Sequence, residues 1–254
     1  MCGRYTITAT PAQLRDLFGY AEQPNFPPRY NVAPTQPIPI VRRHGGAGQN
    51  ARHFALVRWG LIPPWVKDPK GFTLLINARG ESAAEKPAFR NAMRRRRCLI
   101  PADGFYEWKT TDGRKRPFYA RRRGGGPLAF AGLWETWTGP NGEEVETAAI
   151  VTTEANQTLS AVHNRMPVVI PPEGFDQWLA NDEVDVAEAS RLIAPAPEDL
   201  MEVYEVGTAV NKVANDDASL VEPVDPNAEP ESAPPPKAKR SKPAKEDDGQ
   251  QSLF

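Results

Sequence analysis

The first residues of the chain, MCGRYT, place a cysteine directly behind the initiator methionine. If Met1 is removed, Cys2 carries a free α-amine beside its thiol, with pKa values of about 8 and about 8.5 that lie close to neutrality. Such a 1,2-aminothiol attacks an aldehyde with its amine, loses water to form an imine, and closes its sulfur onto the imine carbon as a thiazolidine. Cys2 is therefore suited to an aldehyde or to acyl transfer, unless it is merely a small residue after Met1.

The segment FYEW places Glu107 between aromatic residues. Alternation along a strand puts Phe105 and Glu107 on one face and Tyr106 and Trp108 on the other. A carboxyl group held among rings has a raised pKa, which suits it to transfer protons. The alternative is a glutamate on an edge strand that faces water.

Two other polar segments follow or precede apolar runs. LINARGES (75–82) leads into Asn77 and Arg79 on one face, where an amide beside a guanidinium suits a sugar hydroxyl and a phosphate. His163 stands just before an apolar strand, and histidine is the commonest general acid–base. The alternatives are a turn asparagine and a structural histidine.

A stiff proline corner separates two tryptophans in WGLIPPW (59–65). A rigid, projecting Trp65 would stack on a nucleobase. The alternative is a tryptophan buried in the core.

The bulk composition is that of an ordinary globular protein, with 254 residues, 40% apolar and 25% charged. We expect no membrane span and no secretory signal, because the chain has neither a run of 18 apolar residues nor a basic start followed by an apolar stretch. Two cysteines are too few for a disulfide framework and indicate a reducing, cytoplasmic compartment. No cysteine or histidine stands at metal-ligand spacing, so neither a metal nor a cofactor is expected.

The net charge of −1 neither indicates nor excludes nucleic-acid binding, but arginines cluster at 90–97 and 121–123. Each cluster is either a basic binding patch or solvated surface arginine.

Hydrophobic spacing and turn signals predict an α+β domain built on a curved, mostly antiparallel, barrel-like sheet with short flanking helices. Helices are predicted over 10–18, where Thr10 is the N-cap, over 86–96, and over 172–180. Asp-Gly (112–113) and Asn-Gly (141–142) indicate hairpin turns. The predicted strands are 38–41, 51–59, 73–78, 97–102, 105–109, 116–120, 128–136, 144–153, 167–170 and 201–206.

The domain is predicted to span 1–221. Residues 222–254 are rich in proline, alanine, lysine and acids, and cannot bury enough apolar surface to offset the entropy of ordering, so this tail is predicted to be disordered. Its end, QQSLF, resembles bacterial sliding-clamp-binding peptides, in which Gln250, Leu253 and Phe254 would enter an apolar pocket of the clamp.

Together the motifs resemble the SOS response-associated peptidase (SRAP) family. The resemblance covers the body of the chain and leaves out only the tail. The matching blocks are MCGRY, YNVAPTQ (30–36), WGLIPPW (59–65), INARGES (76–82), RCLIPADGFYEW (97–108), FAGLWE (130–135), VTTEAN (151–156), HNRMPVVI (163–170) and VGTAVNKVANDDASLV (206–221).

This resemblance implies a sensor of abasic sites in single-stranded DNA, which loses Met1 and links residue 2 covalently to the ring-opened sugar. Cys2 would be the nucleophile and Asn77 would orient the terminus. Glu107 would shuttle protons, and His163 would assist as an acid. The resulting thiazolidine would shield the lesion against strand breakage.

The resemblance also implies a DNA groove. Arg4, Arg79 and Arg165 match its basic positions, Trp65 matches a loop aromatic that stacks near the lesion, and Gly3 lets the DNA backbone approach closely. Some members have two adjacent aromatic residues at that corner. Here one of them is a proline, so weaker stacking is expected.

Related activities are expected at the same site. Met1 is removed either by the site itself, as the peptidase label implies, or by a methionine aminopeptidase. Weak lyase activity and reversal of the crosslink are expected as well, the reversal through the same proton-transfer groups, above all Glu107. We expect a monomer in the cytoplasm, associated with the nucleoid.

Two alternatives remain at this point. An N-terminal-nucleophile amidotransferase also begins MCG and would use Cys2 to hydrolyse glutamine. A non-catalytic single-stranded nucleic-acid-binding module would bind abasic and intact DNA alike and form no adduct.

Overall fold

A computed structural model of the protein describes residues 2–43 and 51–225. The described part is α+β, with a five-stranded antiparallel sheet packed beside a barrel-like sheet, which confirms the predicted class. Residues 226–254 lie outside it, and so do the clamp-motif residues Gln250, Leu253 and Phe254. The strands of the described part are β1 (Arg4–Ile7), β2 (Arg29–Val32), β3 (Pro37–Arg43), β4 (Arg52–Trp59), β5 (Asn77–Arg79), β6 (Arg97–Ala102), β7 (Gly104–Thr111), β8 (Arg114–Arg122), β9 (Leu128–Thr138), β10 (Glu144–Glu154), β11 (Arg165–Pro167) and β12 (Met201–Glu205).

The first sheet has the order β12-β8-β7-β1-β2 and is antiparallel throughout. In the second sheet the path β10-β4-β3-β6-β9 returns to β10, because β9 pairs with β10, and a barrel results. Two parallel pairings, of β10 with β4 and with β5, interrupt its otherwise antiparallel pattern. The short strands β5 and β11 both pair with the C-terminal end of β10.

Aromatic side chains join the first sheet to the barrel. Tyr5 on β1 and Phe105 on β7 pack edge-on against Phe130 on β9, with ring centroids 6.4 and 5.9 Å apart. All three are fully buried. The start of β1 and the middle of β7 are thereby held against the second sheet.

Short helices flank the sheets, and they are α1 (Pro11–Phe18), α2 (Gly80–Ala83), α3 (Arg90–Arg95), α4 (Gln157–Ser160), α5 (Phe175–Leu179) and α6 (Val186–Ser190). The predicted first helix is confirmed. Thr10 caps it and forms a reciprocal capping box with Gln13, and Leu14 and Phe18 are buried.

Four predicted boundaries differ from the structure. In place of the predicted strand 167–170, the strand is β11 (Arg165–Pro167), and Val169 forms only an isolated bridge to Phe130. Helix α3 begins at Arg90 and not at residue 86, because residues 86–89 form a turn in which the amides of Phe89 and Arg90 share the carbonyl of Lys86. The predicted strand 73–78 shortens to β5, and Leu74 remains 39% exposed. The segment 172–180 is a 3₁₀ turn (Pro172–Gly174) followed by α5.

Arg97 in the first arginine cluster is a core residue. It is fully buried, and its guanidinium donates hydrogen bonds to the main-chain carbonyls of Met93, Trp178, Ala180 and Val184. Desolvation lowers the pKa of Arg97 to about 10. Arg94 and Arg95 of the same cluster are exposed, so the cluster is not a single solvated patch.

The folded body continues slightly beyond residue 221. The amide of Val224 donates to the carbonyl of Glu205, and Pro223 bridges to Val206. Among the described residues, no helix is both long enough and apolar enough to cross a membrane.

Candidate active site

The site is built around the entrance to β1. Arg4 pairs with Tyr106 of β7, and this antiparallel register, continued toward the terminus, sets residues 2 and 3 alongside Trp108 and Glu107. Cys2 is 1% exposed, and its Sγ lies 3.8 Å from the carbonyl oxygen of Arg4. Burial raises the pKa of the Cys2 thiol well above its ordinary value, and the negative charge of Glu107 raises it further. The thiol is therefore protonated at neutral pH.

Asn77 reaches this entrance from the second sheet. It begins β5, which runs parallel to β10 with Asn77 opposite Ile150. Its Nδ2 donates a 2.9 Å hydrogen bond to the carbonyl oxygen of Cys2. Its Oδ1 is buried and has no hydrogen-bond partner among the described residues.

Glu107 and His163 form the acid–base part of the site. Glu107 is 4% exposed, since β7 lies inside its sheet between β1 and β8, and the water-facing alternative is wrong. Burial raises the pKa of its carboxyl above the ordinary value. Nε2 of His163 lies 4.0 Å from Oε2 of Glu107.

Nδ1 of His163 lies near two main-chain groups of Arg165, the carbonyl oxygen at 3.3 Å and the amide nitrogen at 3.0 Å, and the shorter amide contact favours Nδ1 as an acceptor. The amide of Arg165 can only donate, and it lies 3.0 Å from Nδ1 of His163. A neutral ring that accepts at Nδ1 carries its proton on Nε2, the nitrogen nearest Glu107. This arrangement places the ring N–H on the side of the carboxyl group, at a separation of 4.0 Å that is longer than a hydrogen bond.

Arg165 is held by protein groups beside the site. Its two terminal nitrogens donate to Glu81 of α2 at 2.7 and 2.8 Å, and Nη2 also donates to the carbonyl of Thr152 at 2.7 Å. The Arg165 guanidinium holds the pKa of Glu81 below its ordinary value. Glu81 lies in the INARGES block, but no sequence signal separated it from the surface acids.

The other predicted basic residues differ in their surroundings. Nη1 of Arg4 donates to Oδ1 of Asn31 and to the carbonyl of Val210, both at 2.8 Å, so this guanidinium is braced by the fold. Asn31 is fully buried and was not foreseen from the sequence. Arg79 is exposed at the end of β5, and Gly3 is half-buried next to Cys2.

Trp65 projects from the loop after β4. This agrees with the prediction of an exposed tryptophan and not with the alternative of a core residue. Its side chain is 58% exposed and meets Phe72 edge-on at 5.7 Å. The loop is anchored because Nε1 of Trp137 donates to the carbonyl of Val66 at 2.6 Å. Trp59 at the other end of the motif is fully buried.

The structure thus brings four predicted residues together, which are Cys2, Asn77, Glu107 and His163. Asn77 and Glu107 come from strands β5 and β7, Cys2 from the segment before β1, and His163 from the loop before β11. The group combines the thiol of Cys2, an amide that fixes the adjacent carbonyl, and an acid–base pair made of a buried carboxyl group and a half-buried imidazole. Such a set can hold an N-terminal residue still while protons move around a carbon electrophile.

Comparison with known proteins gives the same assignment along most of the chain. A model of the SOS response associated peptidase (SRAP) family matches residues 1–213. The abasic site processing protein YoqW of Bacillus subtilis is 38% identical over 226 residues, which cover 87% of this chain and 99% of that protein.

More distant relatives agree. The abasic site processing protein YedK of Escherichia coli is 32% identical and is covered completely, together with 88% of this chain. A crystal structure of a Bacteroides thetaiotaomicron protein superposes with a TM-score of 0.76 at 25% identity, over 88% of this chain and all of the other. The chain belongs to the SRAP family.

Proposed function

We propose that this protein processes abasic sites in single-stranded DNA by forming a covalent crosslink through Cys2 after Met1 has been removed. Its relatives YoqW and YedK are named abasic site processing proteins. The observation that carries the proposal is the convergence of Asn77, Glu107 and His163 on the terminal thiol.

The electrophile is the open-chain aldehyde of an abasic deoxyribose. The α-amine of Cys2 attacks the aldehyde carbon, and the resulting carbinolamine loses its hydroxyl group as water to give an imine. The Cys2 sulfur then bonds to the imine carbon while the thiol proton ends on nitrogen. The product is a thiazolidine, and no external oxidant or reductant is consumed.

The raised pKa of the Cys2 thiol supports this order of events. A thiol that stays protonated is a poor first nucleophile, whereas an α-amine has a pKa of about 7.7–8.0. Imine formation by the amine therefore comes first. The sulfur then adds within the same residue, at a high effective concentration.

Glu107 and His163 would move the protons. Protonated Glu107 would donate to the departing hydroxyl group, and its carboxylate would accept a proton from the attacking amine. His163 carries its proton toward Glu107 and would restore the carboxyl group between steps. The same transfers run backward would reverse the crosslink, and an imine that loses a neighbouring proton would give weak lyase activity.

The DNA would be bound by groups around the entrance. Exposed Arg79 supplies a positive charge for phosphate, and exposed Trp65 offers a stacking face. Arg165 and Arg4 are already bound to Glu81 and to Asn31, respectively. We infer that their charge, rather than a free guanidinium fork, attracts the phosphates that flank Gly3.

The removal of Met1 is part of the proposal. The site would hydrolyse the Met1–Cys2 peptide bond itself: one water would add its hydroxyl to the Met1 carbonyl carbon and its proton to the departing Cys2 amine, with Glu107 as the proton-transfer group and Asn77 holding the next carbonyl, that of Cys2. A methionine aminopeptidase is the competing agent. Incubating purified Met1-bearing protein and its Glu107→Gln variant, followed by intact mass measurement, distinguishes the two, because only self-processing depends on Glu107.

The decisive experiment mixes the protein with an abasic single-stranded oligonucleotide and analyses the product on a denaturing gel. The wild-type protein should form a shifted band, and Cys2→Ala should form none. Cys98→Ala is the matched control, since the second cysteine is buried in the core. An oligonucleotide whose aldehyde has been reduced to the alcohol should give no band.

Mass spectrometry should locate the nucleotide on residue 2. An adduct on any other side chain, or a Cys2→Ala variant that crosslinks normally, would overturn the proposal. Glu107→Gln should form the band more slowly by about 10²–10⁴-fold, the usual contribution of a general acid–base group.

A separate proposal concerns the end of the chain. QQSLF would bind a sliding clamp through Gln250, Leu253 and Phe254, with the protein acting as a cytoplasmic monomer. Deleting residues 250–254 should abolish capture by immobilised clamp and leave crosslinking unchanged. Unchanged capture would refute it.

A further inference from the structure

The hairpin formed by β7 and β8 extends beyond the rest of its sheet at the active-site end. The pairing of β7 with β1 ends where Tyr106 meets Arg4, and the pairing of β8 with β12 ends at Phe118. Residues 109–111 and 114–116 therefore pair only with each other. A left-handed Asp112-Gly113 turn, with φ values of 51° and 74°, closes the hairpin.

The root of this hairpin is fixed to the body. Nε1 of Trp108 donates to Oδ1 of Asn211 at 2.8 Å, and Nε of Arg116 donates to Glu205 at 2.6 Å. The arm is thus held in one direction relative to Glu107. A rigid support of this kind is what a surface needs to define the path of a bound strand.

Basic side chains line one face of the arm. Because side chains alternate along a strand and paired residues share a face, Lys109, Arg114 and Arg116 lie on the same face as Glu107. Lys115 lies on the opposite face. Arg116 is engaged by Glu205, whereas Lys109 and Arg114 have no hydrogen-bond or ion-pair partner within the described residues.

We propose that Lys109 and Arg114 bind phosphates of the single strand as it leaves the abasic site on one side. This inference deepens the proposed function, on which it rests. At about 3.4 Å per residue, Lys109 lies about 7 Å and the end of the arm about 14 Å along β7 from Glu107. A stacked strand advances about 3.4 Å per nucleotide, so the arm would contact roughly the second to fourth nucleotides from the lesion.

The positive charge on this face of the arm favours a polyanion as its ligand. On the Glu107 face of the arm, the carboxylate of Glu205 is already neutralised by Arg116, so a positive excess remains beside the site. A polyanion that is anchored at Cys2 and follows the strand direction would meet both Lys109 and Arg114. No apolar surface at the tip would favour a protein partner, because residues 110 and 112–116 are exposed and none of them is apolar.

The test measures equilibrium binding of the full-length protein to oligonucleotides that contain a stable abasic analogue without an aldehyde. The oligonucleotides carry ten extra nucleotides on the 5′ side only, on the 3′ side only, or on neither. The variants are Lys109→Gln/Arg114→Gln, Arg114→Gln and Lys115→Gln. The last is the matched control, since it removes the same charge from the other face of the same tip.

The slope of log K against log salt is negative. For one of the two extended oligonucleotides, the double variant should reduce its magnitude by about 1.4, or about 0.7 for each phosphate that is no longer neutralised. The slope for the other two should not change, and Lys115→Gln should behave as wild type on all three. The inference is overturned if the double variant keeps the wild-type slope everywhere, or if Lys115→Gln matches Arg114→Gln.

Crosslinking separates this inference from the proposed function. With a saturating natural abasic oligonucleotide that has short flanks, Lys115→Gln should form the adduct at the wild-type rate. If the wild-type protein forms no adduct, the proposed function fails, and the salt slopes still decide whether the arm binds DNA.

Discussion

Asn77 donates a 2.9 Å hydrogen bond from its side-chain amide to the main-chain carbonyl of Cys2. The bond fixes the plane of the peptide that carries the reactive residue. It also joins the two sheets beside the proposed nucleophile, because Asn77 is on β5 and Cys2 precedes β1.

Replacing Asn77 by alanine should slow crosslinking and leave the fold intact. A net hydrogen bond contributes about 0.5–1.5 kcal/mol, which corresponds to a rate about 2- to 13-fold lower. Single-turnover gels measure the rate. Asn77→Asp keeps the size of the side chain but cannot donate when ionised, so it should be at least as slow. A wild-type rate for Asn77→Asp would contradict this role of the amide.

Glu107 should make stability depend on pH. Its pKa is raised in the folded state by burial, so the folded protein binds the proton more tightly than the unfolded chain does. The favourable contribution is complete below the unfolded pKa of about 4.3 and is lost as pH rises through the folded pKa. Glu107→Gln removes this dependence.

Urea unfolding of the wild type and of Glu107→Gln at several pH values tests this prediction. The free energy of unfolding of the variant, relative to wild type, should increase between pH 4 and neutrality. Glu198→Gln is a control with the opposite sign. Main-chain hydrogen bonds lower the pKa of that exposed carboxyl, so the free energy of unfolding of this variant, relative to wild type, should not increase with pH. A pH-independent difference for Glu107→Gln would show that its carboxyl titrates normally.

Trp65→Ala should weaken DNA binding without unfolding the protein. The indole is 58% exposed, and stacking of a base on an aromatic ring contributes about 1–3 kcal/mol. Fluorescence titration with single-stranded DNA measures the loss. Leu56→Ala removes another large side chain, which is 50% exposed, and should leave affinity unchanged. Equal affinities of the Trp65 variant and the wild type would exclude stacking at this loop.

Arg97→Met should be among the most destabilising single changes. It removes the donor to four main-chain carbonyls that join β6 to α3 and to the segment around α5, and breaking a buried charged network costs about 3–5 kcal/mol. Thermal unfolding is the measurement. Arg95→Met is the control at an exposed position in the same cluster. Equal melting temperatures for the two variants would refute the structural role.

The faces of individual strands were predictable, because alternation is local. Phe105 and Glu107 do share the inner face of β7, and Tyr106 and Trp108 pack into a separate cluster on the other face. The burial of Glu107 was not decidable in the same way. It depends on β7 lying between β1 and β8, and strand order is set by contacts between distant parts of the chain.

The position of Asn77 and His163 in one site could not be predicted from local sequence either. Asn77 and His163 come together because β5 and β11 both pair with the end of β10, over residues 150–154. That register cannot be inferred from the spacing of the two motifs, so only resemblance to the SRAP family linked them beforehand. Arg4 was foreseen as a DNA contact, but its bond to Asn31 depends on a partner 27 residues away.

The hydrogen bonds from Arg4 to Asn31 and Val210 have a consequence for folding during synthesis. Asn31 also donates to the carbonyls of Lys212 and Asn215, so the neighbourhood of the first residues is finished by nearly the last part of the folded body. During vectorial synthesis, the end that emerges from the ribosome first must wait for about two hundred further residues before its surroundings are complete. A nascent chain that ends before residue 210 therefore lacks main-chain groups that hold Arg4 and Asn31 in place beside the site.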